Sequence, residues 1–324
     1  DIADWPESLA EMFSGRAFRG AGQYFALSLQ PGNETNRYSV TFREPYLLES
    51  NFFLDTELFF WTREREKYDE QRLGGTIGLG QRFGDVWSAS VNTRMEQVRI
   101  NDLEDDAAED VYDEKGTNSI STLGFTITRN TTDSRIFPTR GSMFTTTVSQ
   151  AGALGGDYDF TKVSARYVKF WTVDENFMGH RSVLSMRTEA GYIFGSAPVF
   201  ERFYAGGHRT IRGFDYRGAG PMGIRNDTKE RGDDPVGGDW LFLLSFEYNV
   251  PIYRDIIRWV FFTDTGTVTD DIGFDDYRVS IGTGIRLKIP FLGQAPFAFD
   301  FAIPVLKEKS DETRYFSFDL AVPF

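Results

Sequence analysis

Apolar and polar residues alternate with a period of two along most of the chain. At the C-terminal end Phe316, Phe318, Leu320, Val322 and Phe324 interleave with Ser317, Asp319, Ala321 and Pro323. Phe297, Phe299, Phe301, Ile303 and Val305 do the same against Ala298, Asp300, Ala302 and Pro304. Upstream, Val279, Ile281, Ile285, Leu287 and Ile289 alternate with Ser280, Gly282, Gly284, Arg286 and Lys288. Successive side chains of a strand point to opposite faces, so each run predicts a strand with one apolar face and one small or charged face. Strands are predicted at 22–30, 36–44, 51–63, 72–83, 86–99, 117–130, 141–151, 158–173, 181–195, 240–251, 257–268, 277–290, 296–306 and 314–323. Helical periodicity is confined to a turn or two over Pro6–Phe13.

Many of these strands approach the ~9–11 residues needed to cross a bilayer at a tilt. Their apolar faces are continuous while the other face carries charge. Leu54, Leu58 and Phe60 oppose Asp55 and Glu57; Val163, Tyr167 and Trp171 oppose Lys162 and Arg166; Leu184, Met186, Ala190, Tyr192 and Phe194 oppose Arg187 and Glu189. The connections also alternate in length. The set 31–35, 64–71, 100–116, 152–157, 196–239, 269–276 and 307–313 contains both long loops. The interleaved set 45–50, 84–85, 131–140, 174–180, 252–256 and 291–295 contains only short turns. A soluble sandwich gives no reason for that asymmetry, whereas transmembrane barrels have long outer loops and short periplasmic turns. The fold class expected is all-β: an antiparallel transmembrane β-barrel of about fourteen strands over residues 22–324, preceded by a linker or turn segment at 1–21.

Composition narrows the function. Among 324 residues, 35 Lys and Arg face 48 Asp and Glu, a net charge of −13, which leaves nothing to neutralise a nucleic-acid backbone. Cys is absent and only His180 and His208 are present, so thiolate sites and multi-histidine metal centres are excluded. Aromatic residues make up 16% of the chain, yet the mean hydropathy is −0.36, as expected when apolar residues are dispersed one by one. No uncharged apolar run is long enough for a helical span. The chain starts at Asp1, which reads as a mature protein or a fragment of a longer one.

Three segments carry candidate chemistry. Asn101–Lys115 holds eight carboxylates with no glycine to shape a calcium loop, and reads as a solvated outer loop. His208 has no nucleophile or acid at a catalytic spacing, and Gly282-x-Gly284 lies inside a strand, so neither a catalytic constellation nor a dinucleotide fingerprint is present. No enzyme activity, cofactor or metal is expected. The connection 196–239 is far longer than ordinary loops, which usually means function or internal folding. Within it Arg212 stands among glycines, and an arginine turned toward a barrel interior needs carboxylates. Glu247, between Phe246 and Tyr248, and Asp264, between Thr263 and Thr265, lie on the inward face of the strands that follow.

Ile211-Arg212-Gly213-Phe214 is similar to the Val-Arg-Gly-Phe signature of the BamA family of outer-membrane assembly factors, the bacterial surface antigen family. Asn130-Thr131-Thr132-Asp133 followed by Pro138-Thr139-Arg140-Gly141 resembles that family's periplasmic turn. Phe262-x-Asp264-x-Gly266, Gly282-x-Gly284-x-Arg286 and Phe299-Asp300-x-Ala302-x-Pro304 resemble its late-strand motifs. Phe316, Phe318, Leu320 and the terminal Phe324 resemble an outer-membrane insertion signal, although Pro323 is unusual beside it.

The resemblance implies sixteen strands, with two of them and the periplasmic transport-associated domains upstream of this chain. It implies a long loop folded into the lumen and locked by Arg212, Gly213, Phe214, Glu247 and Asp264. In function it implies a bacterial outer-membrane insertase, in which the terminal strand templates an incoming strand at a weak lateral seam. The implied partners are membrane lipid, unfolded outer-membrane protein clients, periplasmic chaperones and assembly lipoproteins. A two-partner-type polypeptide secretion pore and a porin-like channel stand as alternatives.

Overall fold

The computed structural model describes residues 22–135, 137–254, 256–289 and 296–320. Fourteen strands form an antiparallel sheet in chain order. They are β1 (Tyr24–Gln30), β2 (Thr35–Glu44), β3 (Phe52–Glu64), β4 (Asp69–Phe83), β5 (Trp87–Asn101), β6 (Gly116–Asn130), β7 (Gly141–Gly156), β8 (Phe160–Glu175), β9 (Arg181–Gly195), β13 (Trp240–Tyr253), β14 (Ile257–Thr269), β15 (Arg278–Leu287), β16 (Phe297–Leu306) and β18 (Phe316–Leu320). Four short strands complete the set: β10 (Gly213–Phe214), β11 (Met222–Ile224), β12 (Arg231–Pro235) and β17 (Thr313–Arg314). One four-residue helix, α1 (Glu109–Tyr112), lies between β5 and β6. Among the described residues, no helix is long and apolar enough to cross a membrane.

The residues divide into two compact units. The first holds the described residues up to Glu104 with Lys115–Ile127 and Ser149–Asp159. Its hairpins are in unbroken register, Leu58 opposite Gly75 and Phe53 opposite Gly80. Glycines on β4 make room for rings across the strand: a Cβ on Gly80 would sit 2.2 Å from the Phe53 ring. On the same face Glu70 accepts from Arg65 and Arg72, Arg72 reaches Glu96, and the Arg72 guanidinium lies over Trp61.

The second unit holds Asp105–Glu114, Thr128–Val148 and everything from Phe160 on. Its strand order is β8-β9-β13-β14-β15-β16-β18. Burial is inverted relative to a soluble protein. Phe301 and Ile303 are 59% and 62% exposed, whereas Asp264 and Asp300 on the opposite face are 0% and 1% exposed. A sandwich hides its apolar face in water; a sheet with lipid on its apolar side does the reverse.

The polar face of this second unit is covered by the connection 196–239. Ile211, Phe214, Val199 and Ala205 of that segment are all fully buried. The long connection is folded internally, with β10, β11 and β12 forming within it. Here the sequence reading needs one correction: the acidic stretch is not simply solvated, because Ala107, Ala108 and Val111 are buried beside the connection. Ala108 N–H donates to Asp234 at 2.9 Å, and Arg202 donates to Asp110 at 2.7 Å. Val111 is the buried residue of α1 and Ala107 and Ala108 lie just before its start, a small apolar group that the charge run masks.

Candidate functional site

Arg212 sits on the tip of the folded-in connection, immediately before β10, and is 5% exposed. Gly213 permits this approach. Its φ is +92°, and a Cβ there would meet Ala302 at 3.3 Å and Ser280 at 3.4 Å. Phe214 is buried beyond it, and β10 pairs with β17, so Gly213 lies opposite Arg314 and Phe214 opposite Thr313. The Asp215 N–H donates to the Glu312 carbonyl at 3.0 Å, extending that pairing. The tip is therefore stitched to the segment that leads directly into β18.

Arg212 meets its acids on neighbouring strands. Nε donates to Asp264 Oδ2 at 2.7 Å, Nη2 to Asp264 Oδ1 at 2.9 Å, and the backbone N–H to Asp264 Oδ2 at 3.1 Å. Nη1 donates to Glu247 Oε2 at 2.8 Å. Ser245 Oγ donates to Asp264 Oδ1 at 2.5 Å, so the buried carboxylate is saturated. The guanidinium also lies 3.4 Å from the centroid of the Phe262 ring. Arg212, Glu247 and Asp264 are thus brought together in one place.

The periodicity reading left out a second pair beside them. Arg286 donates to both oxygens of Asp300, at 2.6 and 3.2 Å, and to Glu247 at 3.4 Å. Asp300 also stands 3.7 Å from Arg212. His208 Nδ1 lies 3.3 Å from Asp300 at an angle that forms no hydrogen bond, and Nε2 lies 3.8 Å from Asp319 of β18. The signal for Asp300 and Arg286 was present: each stands between large apolar residues of its strand, as Glu247 does.

The glycine pattern of β15 explains itself at this site. A Cβ on Gly282 would lie 2.3 Å from the Phe262 ring, and one on Gly284 would lie 1.9 Å from Asp300 Oδ1. The two glycines clear space for the ring under Arg212 and for the acid under Arg286. Nothing about them concerns phosphate. Among the described residues, no group of His, Asp and Glu is arranged to hold a metal ion.

The other candidate residues lie apart from this cluster. Phe316 and Phe318 face outward on β18, packing as tilted rings against Phe301 and Phe299 with centroids 4.9 and 5.0 Å apart. The Leu320 side chain and all of Phe324 fall outside the described residues. The motif at 130–141 builds a closed turn. Asp133 accepts from the Thr139 N–H and hydroxyl and from the Arg140 N–H. Partial burial works against the charged form of Asp133, but those hydrogen bonds outweigh it and hold the carboxyl below its ordinary pKa. On the side of the long loops, burial pushes Asp239 and Asp270 above theirs, with Arg202 offsetting part of it.

Comparison with known proteins gives a consistent result. A family model described as the Omp85 superfamily domain matches residues 17–324. The outer membrane protein assembly factor BamA of Nitratidesulfovibrio vulgaris is 27% identical over 311 residues, which span 93% of this chain and 38% of that protein. The factor of the same name from Neorickettsia risticii is 25% identical over 322 residues, 94% of this chain and 41% of that protein. The chain therefore spans about two fifths of the length of these relatives. Among solved structures, BamA from Haemophilus ducreyi lacking POTRA domains 1–3 superposes with a TM-score of 0.78 at 18% identity, over 92% of this chain and 64% of that one. That likeness shows the fold.

Proposed function

This chain belongs to the Omp85 superfamily, and from that premise we propose that it is the membrane-embedded part of a bacterial outer-membrane protein assembly factor. Its role in this reading is to lower the barrier to folding and insertion of other β-barrel proteins, without covalent chemistry. Its partners are the outer-membrane lipid, unfolded outer-membrane proteins, the periplasmic chaperones that deliver them and the assembly lipoproteins that accompany the process. Residues 22–324 form the barrel domain and 1–21 a linker in the same reading.

The observation that carries the proposal is the tie between the folded-in connection and the segment that feeds the last described strand: β10 pairs with β17, and β18, which follows, pairs with β16 with Phe316 opposite Phe301 and Phe318 opposite Phe299. In this reading an aromatic terminal strand held in that place is exchanged for a client's strand by edge pairing. The Arg212 cluster supports the same reading by anchoring the connection 196–239 next to the segment that feeds β18. In a porin-like channel, by contrast, a buried plug of this kind would obstruct the path.

The test is reconstitution. The chain is inserted into liposomes and given an unfolded outer-membrane barrel, and folding is followed by heat-dependent gel mobility. Faster folding than in empty liposomes is expected, with disulfide trapping between a cysteine at Ser317 and one in the client's terminal strand. Folding at the rate of empty liposomes sinks the assembly role; acceleration without trapping at Ser317 sinks only the templating step.

A further inference from the structure

The connection between β14 and β15 turns back onto the outside of the wall that β13, β14 and β15 form. Phe246, Phe261 and Ile281 mark the lipid side of that wall: all three are exposed, opposite the face on which Ser245, Asp264 and Ser280 are buried. Thr267 pairs with Phe242 and belongs to the same outward side, yet it is fully buried. What covers it is the connection. The Thr267 hydroxyl donates to the Asp276 carbonyl at 2.9 Å, the Thr265 and Tyr277 hydroxyls lie 2.7 Å apart, and Trp240 Nε1 donates to the Gly273 carbonyl at 3.0 Å. Phe274 is thereby laid edge-on against Phe242, with ring centroids 5.3 Å apart, and against Trp240 at 6.3 Å. The connection closes over the threonines and presents Ile272 and Phe274 in their place, both more than half exposed.

The position of this clasp along the strands matches one hydrocarbon thickness. At the short-turn end of the same wall the exposed rings of Trp259 and Phe261 stack, 5.0 Å apart. Trp240 stands opposite Thr269, ten positions along β14 from Trp259. At ~3.4 Å per residue that is about 34 Å along the strand. For a strand tilted by about 40° it is about 26 Å across the membrane, against an apolar band of about 25 Å bounded by aromatic residues at both edges. Trp259 and Phe261 therefore mark one edge, and the group around Phe274 marks the other. The exposed carboxylates Asp271, Asp275 and Asp276 stop the connection from sinking further, because charge is costly inside the band and cheap at its rim.

We propose that residues 270–277 are a lipid anchor, which seats Ile272 and Phe274 among the acyl-chain segments nearest the headgroups of the outer leaflet and fixes the depth at which this wall stands. The occupant is lipid rather than a protein partner because the patch is continuous with the exposed apolar face of β13 and β15 and lies at its edge. The inference rests on the membrane reading of the fold, and holds whether the protein assembles or exports polypeptides.

The experiment measures depth. The chain has no cysteine of its own, so Ile272→Cys, Phe246→Cys and Asp105→Cys can each carry a small fluorophore, attached before the full chain is folded into phosphatidylcholine vesicles. Phe246, opposite Thr263, lies near the middle of the span, and Asp105 lies in an outer loop. Quenchers are a nitroxide near the glycerol end of the acyl chains, a nitroxide near their methyl end, and iodide in the water. Heat-dependent gel mobility checks each fold; should a variant fail to fold, Ile281→Cys serves for Phe246 and Phe274→Cys for Ile272. The Ile272 label is expected to lose most of its fluorescence to the shallow nitroxide, the Phe246 label to the deep one, and the Asp105 label to iodide alone. Quenching of the Ile272 label by iodide alone puts the connection in water and overturns the proposal. Quenching of it chiefly by the deep nitroxide overturns its placement at the boundary. Escape of the Phe246 label from both nitroxides overturns the membrane reading itself, so the two failures are told apart.

Discussion

A guanidinium enclosed by Asp264, Glu247 and Asp300 is held only while its carboxylates keep their places, because each charge is the compensation for the others. Arg212→Ala leaves buried carboxylates uncompensated and is expected to weaken docking of the connection by about 3–5 kcal/mol. Arg212→Lys keeps the charge but loses the planar fork that serves Asp264 and Glu247 together, and the stack on Phe262. Both variants are expected to expose 196–239 to protease, and to slow client folding in the liposome assay. Unchanged protection in both would mean that the cluster does not anchor the connection. Gly284→Val tests the neighbouring pair, since a side chain there enters the space of Asp300. It is expected to release Arg286 and to give intermediate protease sensitivity. Part of this geometry was legible from alternation alone, because Glu247 and Asp264 are carboxylates at positions where their strands turn away from lipid. Asp300 and Arg286 carry the same mark. What alternation cannot express is that Gly282 and Gly284 exist to make room, since a space has no sequence signature until its occupant is known.

Among elements, the strands were the easiest to read and the loops the hardest, for one physical reason. A strand between lipid and a polar interior is constrained at every residue, so its pattern is written locally. A loop that folds back is stabilised by contacts distant in sequence, such as Ala108 with Asp234, and its local pattern shows only charge. Val111 provides a test. Val111→Asp puts a charge where α1 is fully buried, and is expected to free Asp105–Glu114 for protease while leaving the strands' infrared signature unchanged. The turn at 131–140 offers a second test, through pH. Asp133 has its folded pKa lowered, so its contribution to turn stability is complete above the ordinary carboxylate pKa and is lost as pH falls below it. Protection of the Thr139 and Arg140 amides, the two N–H groups bonded to it, should fall on acidification through that range once the intrinsic slowing of exchange at low pH is divided out. In Asp133→Asn exchange should already be faster at neutral pH, with the acid-dependent step gone. A step that persists in the Asn variant would assign it to another group.

At the scale of the whole molecule, the two kinds of connection give the chain a direction. The long connections carry Asp105–Glu114 and 196–239, and the short turns carry the Asp133 motif and the apolar tip Phe177, which is 99% exposed. In an outer-membrane barrel the long set faces outward and the short set faces the periplasm. In the proposed reading an exposed phenylalanine also fits the side on which chaperones and lipoproteins would act better than a cell surface facing water. With no native cysteine to confuse the result, Asp105→Cys and Phe177→Cys can each carry a membrane-impermeant thiol reagent. Neither replacement disturbs a buried contact, because both side chains are exposed. Asp105→Cys is expected to label in intact cells, and Phe177→Cys only after the outer membrane is permeabilised. The reverse pattern would turn the molecule over and place the Asp133 turn at the cell surface. Labelling of both in intact cells would remove the membrane assignment itself, and with it the reason for the exposed apolar face of β14, β15 and β16.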